Sequence, residues 1–173
     1  YHDTDIIKAI TGVRRCGKSS LMQTIKDELI ESGINEDNCI FIDLDSRQYK
    51  KIKTDKALED LLDSFSNISG TKYVFIDEIQ NIKNFEEVIN AFRNDGEYSI
   101  FITGSNSYLL SGELVTKLTG RYIEFEVFTL SFYEYLEMKK FFNKPIDPNI
   151  LNELNNYIIE GGFPQAIRYD SIV

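Results

Sequence analysis

Cysteine is scarce in this chain of 173 residues, which holds only Cys16 and Cys39. Two thiols so placed cannot build a disulfide framework and lack the paired spacing of a zinc site, so a reduced, cytoplasmic setting is expected. Long apolar runs are missing as well. The longest, such as Tyr73–Ile76 and Ile100–Ile102, are strand-sized and fall far short of the ~18 residues that cross a bilayer. No membrane association is expected. The chain opens at Tyr1 without a Met and without a basic-then-apolar leader, so it reads as a soluble piece of something longer. Basic charge is also short. Lys and Arg number 19 against 28 Asp and Glu, for a net charge of −9. A protein that grips nucleic acid unaided presents a basic face to the phosphates. Nucleic-acid binding is not supported by this segment, though a domain outside it could supply one.

Internal repeats and low-complexity stretches are absent too. What remains is ordinary for a globular protein, at 42% hydrophobic and 27% charged residues, and long enough for one full domain and part of a second.

The first apolar run, Ile6–Thr11, alternates too little for a half-wet sheet and reads as a buried strand. After Gly12–Ser19 comes a helix, with Leu21, Met22, Ile25, Leu29 and Ile30 at helical spacing and Gly33 as its stop. Further strands are predicted over Cys39–Leu44, Tyr73–Ile76, Tyr98–Thr103 and Arg121–Phe128. Between them, helices are predicted over Thr54–Phe65, Phe85–Phe92 and around Tyr108–Leu118. Regular alternation of strand and helix predicts an α/β domain with helices on both sides of a parallel sheet. From Leu130 the rhythm changes. Ser131–Phe141 and Asn149–Ile159 read as helices joined by the Pro145–Pro148 loop, and a last helix begins after Gly161-Gly162-Phe163-Pro164. The expected division is a core over 1–129 and the start of a helical lid over 130–173.

Between the first strand and its helix, Gly12-Val13-Arg14-Arg15-Cys16-Gly17-Lys18-Ser19 matches G-x-x-x-x-G-K-[ST], the P-loop. Glycines let the main chain fold around phosphates with its N–H groups inward, and the following helix offers its positive N-terminus. The predicted nucleotide contacts are therefore Gly12, Val13, Arg14, Arg15, Cys16, Gly17, Lys18, Ser19 and Ser20. Lys18 reaches the outer phosphates, and Ser19 offers its hydroxyl to Mg2+. Arg15 either touches phosphate or stays solvated.

A P-loop needs a second carboxylate for the cation, delivered by a neighbouring strand. Asp77, ending Tyr73–Ile76, supplies it, and Glu78 is placed to take a proton from attacking water. The tandem acids also sort the subclass. A GTPase would carry D-x-x-G here, whereas Asp77-Glu78-Ile79-Gln80 puts Gln at the glycine position. Asn143-Lys144-Pro145-Ile146-Asp147 satisfies the guanine-reading N-K-x-D, but it follows a helical pattern rather than a strand and reads as a loop. Asp43 and Asp45, ending the second strand, keep a small-molecule kinase in view as a lesser alternative.

Five motifs taken in order, G-V-R-R-C-G-K-S, F-I-D-E-I-Q-N-I, I-F-I-T-G-S-N-S, G-R-Y-I-E-F-E-V-F-T-L-S-F-Y-E-Y-L and G-G-F-P-Q-A-I, resemble the AAA-type ATPase domain of a large prokaryotic family. The resemblance runs from Ile6 to about Arg168. It implies a P-loop NTPase three-layer sandwich with a five-stranded parallel sheet of order 5-1-4-3-2. By the same resemblance, Ser105 or Asn106 is the sensor of the γ-phosphate. Arg121 stands where such ATPases place an arginine finger, which would act in a homo-oligomer, and Arg168 falls where a lid arginine could lie. Family members usually carry a further C-terminal domain, which would bind the partner. The function so implied is Mg-dependent ATP binding and hydrolysis coupled to a conformational or remodelling task. The alternative is a nucleotide-occupied switch with slow or vestigial hydrolysis.

Overall fold

The computed structural model of the chain describes residues 5–104 and 118–169. The chain gathers into two compact units, one of Tyr1–Gly12 with Lys18–Glu126 and the other of Val13–Gly17 with Val127–Val173.

Five strands form one parallel sheet: β1 (Ile7–Gly12), β2 (Cys39–Asp43), β3 (Lys72–Asp77), β4 (Tyr98–Thr103) and β5 (Tyr122–Val127). Their order across it is β2-β3-β4-β1-β5, the order expected, read from the opposite edge. The expected strands appear with ends shifted by a residue, and Tyr98–Thr103 agrees at both ends. Helices α1 (Lys18–Glu31), α2 (Asp55–Asp63) and α3 (Phe85–Asn94) flank the sheet. The helix expected around Tyr108–Leu118 lies outside the described residues except for Leu118, which is fully buried.

Strands β1, β3 and β4 are buried along their whole length, which is why their sequences run apolar instead of alternating. Side chains still project to opposite faces at every second residue. Ile7 and Ala9, Ile40 and Ile42, Val74 and Ile76, and Ile100 and Ile102 join one core with Leu58 and Leu62 of α2 and Val88, Ile89 and Phe92 of α3. Thr54 starts α2 by accepting a hydrogen bond from the Ala57 N–H at 3.2 Å, satisfying a donor that the first turn leaves unpaired.

The other set of alternate positions carries a row across four strands. Phe41 pairs in register with Phe75, Phe75 with Phe101, and Phe101 with Lys8. The Phe75 and Phe101 rings stack at 4.7 Å. The Lys8 ammonium lies 5.2 Å from the Phe101 ring centre and donates to Ser99 Oγ at 3.0 Å. A buried lysine is thus held by a ring face and a hydroxyl. Two residues further along the same rows stand Asp77 and Thr103, at the strand ends. On α1 the stripe is thinner than expected: Met22 and Leu29 are buried, whereas Leu21 is exposed.

The second unit carries α4 (Phe132–Phe141), α5 (Ile150–Glu160) and α6 (Pro164–Tyr169). Ser131 and Glu134 close a capping box at the start of α4, satisfying two orphan donors reciprocally. The N-K-P-I-D stretch is the loop between α4 and α5, as expected. There the Asp147 carboxylate accepts from the Asn149 N–H at 2.7 Å and from the Asn152 amide at 3.3 Å. Both oxygens thus serve the entry to α5.

The G-G-F-P motif ties this unit together. Gly161 ends α5 in the left-handed conformation. The Gly162 carbonyl accepts from the Leu130 N–H at 2.8 Å, and the Tyr157 hydroxyl donates to the Leu130 carbonyl at 2.8 Å. A Cβ on Gly162 would lie 2.6 Å from that carbonyl oxygen, at a φ of +66°. Gly162→Ala is therefore expected to destabilise the helical unit by roughly 1–3 kcal/mol, read as a lowered midpoint in urea unfolding followed by helix signal.

A buried ion pair joins α4 to α5. Lys139 donates to Glu153 Oε1, and the Asp147 N–H donates to Glu153 Oε2 at 2.8 Å. Burial alone would push the Glu153 carboxyl up, but the Lys139 ammonium and the Asp147 N–H outweigh it and hold the group below the usual carboxylate range. A carboxyl depressed on folding stabilises fully above its unfolded value, about 4.3, and loses that contribution as pH falls through its lower folded value. Acid titration of the wild type should melt the helical unit below about pH 4, and Glu153→Gln should flatten that dependence.

Candidate functional site

The site begins where β1 ends. Gly12, Arg15 and Gly17 take φ of 146°, 67° and 114°. These left-handed conformations turn successive N–H groups toward one side. At Gly17 an added Cβ would meet nothing within 4 Å, so glycine is required there by its φ and not by crowding. The Cys16 N–H closes the turn on the Val13 carbonyl at 3.3 Å. Arg14 and Arg15 are exposed and Cys16 is buried.

Lys18 opens α1 and is buried. Its ammonium folds back to the Gly12 carbonyl at 3.0 Å, so the charge is held at the tip of β1. The first turn of α1 contains no acidic residue, leaving the positive end of a 14-residue helix uncompensated by its own side chains, as an anion site requires. Ser19 and Ser20 follow in that turn and are exposed.

β4 lies between β1 and β3, so the main chains ending in Gly12 and Asp77 stand about 10 Å apart, two strand spacings. Thr103, at the tip of β4, ties the far side of that gap. Its hydroxyl donates to Asp77 Oδ1 and accepts from the Glu78 N–H at 3.0 Å. Parallel register puts it there, because Ile76 pairs with Ile102 and the next residues on both strands end the rows together. Asp77 is 5% exposed. Glu78 sits in the left-handed region at φ 58° and ψ 47°, an uncommon conformation for a residue with a long side chain. Its carboxylate accepts from the Gln80 amide.

These residues fit a nucleotide and a hard cation. Among the described residues no group of three or more His, Cys, Asp or Glu gathers to hold a metal unaided.

Of the other residues singled out in the sequence, Ser105 and Asn106 lie outside the described residues. Arg121 accepts from the Ile7 N–H at 2.9 Å through its carbonyl. It therefore stands beside the start of β1, at the sheet end opposite Gly12. Asp43 accepts from the Asp45 N–H at 2.9 Å and Asp45 from the Asn81 amide at 3.0 Å, so both acids serve the turn after β2. Arg168 is exposed near the end of α6, with its guanidinium 5.4 Å from the Tyr169 ring centre.

No sequence motif marks Thr103 or Gln80 at these strand tips. Thr103 reads only as the last residue of a strand, and Gln80 only as a departure from the GTPase pattern. The signal available was a hydroxyl residue ending the strand beside Asp77, legible once the strand order is known.

A sheet in this order, with a P-loop after an inner strand and tandem acids after β3, defines a P-loop NTPase domain of the AAA type. The family model described as "AAA domain" (AAA_14) covers residues 4–136, and the chain belongs to that family. Two curated relatives are uncharacterized proteins, one from Haemophilus influenzae and one from Methanocaldococcus jannaschii. They are 38% and 36% identical over 98% and 95% of this chain. The chain spans 42% and 37% of their respective lengths. Among solved structures, Caenorhabditis elegans PCH-2 superposes with a TM-score of 0.58 at 18% identity, covering 79% of this chain and 38% of that one. Domain III of the Thermotoga maritima replication initiation protein DnaA gives 0.56 at 15% identity, covering 94% and 72%. At such identities the likeness is one of fold alone. Among the described residues no helix is long and apolar enough to cross a membrane.

Thr103→Val should remove the bond to Asp77 and leave the Glu78 N–H without its acceptor. A buried donor so orphaned costs about 1–3 kcal/mol. Urea unfolding should show that loss for Thr103→Val and little of it for Thr103→Ser.

Proposed function

We propose that this domain binds ATP with Mg2+ and hydrolyses it, the turnover driving or timing a conformational change in a longer protein. The carrying observation is the pairing of Thr103 with Asp77 and Glu78 at the strand tips, one strand away from the Lys18 ammonium on the Gly12 carbonyl.

In this reading the N–H groups of residues 12–20 enclose the phosphates and Lys18 neutralises the outer ones. Ser19 and Asp77 would hold the cation, which would supply positive charge against that developing on the phosphates in the transition state. Glu78 takes the proton of the attacking water as a general base. Ser105 or Asn106 senses the γ-phosphate, on the strength of the family resemblance. Arg121, at the far end of the sheet from Gly12, would serve a neighbouring copy's nucleotide, and a homo-oligomer is part of the proposal. Residues 130–173 are the start of the helical lid, and a further domain carries the partner. The engagement of Asp43 and Asp45 in their own turn weighs against a small-molecule kinase.

Lys18→Ala should weaken ATP binding by roughly 100-fold, the worth of a charge-assisted contact of about 3 kcal/mol. Glu78→Gln should bind ATP as the wild type does while releasing phosphate ~10²–10⁴-fold more slowly. Equilibrium nucleotide binding and phosphate release by the full-length protein, each with ATP against GTP, measure the two. Tight ATP retention with negligible release by the wild type would mark the nucleotide-occupied switch instead.

A further inference from the structure

We propose that Gln80 is a positioning residue for Glu78, fixing the carboxylate that takes the proton of the attacking water. This rests on the reading of Glu78 as general base.

Three observations carry it. First, the Gln80 Nε2 donates to Glu78 Oε2. A glutamate has three side-chain torsions to fix, and a donor two residues away fixes their end point and leaves Oε1 as the oxygen for water. Second, the main chain of Glu78 is pinned as well, with its N–H on the Thr103 hydroxyl at 3.0 Å and its φ and ψ in the left-handed region. Both ends of the residue are held, so the reacting atom is placed before substrate arrives. Such placement is what catalysis by orientation demands, and a displacement of about 1 Å can lower a rate ~100-fold.

Third, the Gln80 amide does little else for the fold. Its Oε1 is buried and has no hydrogen-bond partner among the described residues. A buried acceptor without a donor is unfavourable, and a methionine would fill the same space without it. Packing therefore does not call for glutamine here, whereas holding a carboxylate does. The next residue shows the contrast, since the Asn81 amide reaches Asp45 and fastens the turn after β2.

The test is the Gln80→Met variant of the full-length protein beside Glu78→Gln and wild type, with ATP affinity, kcat, KM and thermal midpoint measured for each. The expected result is a kcat lowered ~10–100-fold, with ATP affinity and KM within about twofold and an unchanged midpoint. Combined with Glu78→Gln, Gln80→Met should reduce the residual rate no further, because its effect passes through Glu78. A Gln80→Met enzyme as fast as wild type, or faster, overturns the positioning role. So does a loss shared equally by affinity and midpoint, which would mark a residue of the fold. Should Glu78→Gln itself hydrolyse ATP at the wild-type rate, the general-base reading fails and this inference fails with it. An inactive Glu78→Gln beside a wild-type-like Gln80→Met sinks the inference alone.

Discussion

Everything at this site depends on parallel register at the carboxyl ends of three neighbouring strands. Because β3 and β4 run in the same direction and end together, the Thr103 hydroxyl meets both the Asp77 carboxylate and the Glu78 N–H. One hydroxyl donates and accepts at once, satisfying a buried carboxylate oxygen and a main-chain donor that would otherwise be costly to bury. A slip of one residue would turn Thr103 to the opposite face, where the aliphatic core lies. The apolar rows that fix the register, Ile76 on Ile102 and Phe75 on Phe101, thereby fix the polar tip.

Charge placement follows the same economy. The core of the sheet contains Lys8 against a phenylalanine ring and the Ser99 hydroxyl, and Lys72 in an ion pair with Glu97 at 2.8 Å. Lys18 differs in kind. Its position is set by the turn before α1, and a carbonyl holds its ammonium where the helix N-terminus adds its own positive end. The two buried strand lysines lie within the sheet; the third stands at the start of α1.

Much of this was legible in residues alone, and for identifiable reasons. Burial on both faces writes continuous apolar runs, and Tyr98–Thr103 was bounded correctly because the run is closed by Gly104. The helix expected over Ser131–Phe141 likewise appears as α4, with Ser131 as its cap. Leu21 shows where such reasoning stops: it lies on the periodic stripe of α1 yet is exposed, since periodicity gives a face but not what covers it. Gln80 shows the same limit for the site, because a motif position marked by what it is not says nothing of its hydrogen bonds.

The sequence by itself determined the strand-and-helix alternation, the phosphate-turn spacing and the tandem acids, because each is a pattern of neighbours along the chain. The tertiary structure alone decided that β4 separates β1 from β3, that Thr103 joins Asp77 to Glu78, and that Gly162 clasps Leu130. Those contacts join residues from 25 positions apart, as Glu78 and Thr103 are, to 93, as Lys8 and Phe101 are in the pairing of β1 with β4, and only the packing of one face against another brings such residues within hydrogen-bonding reach.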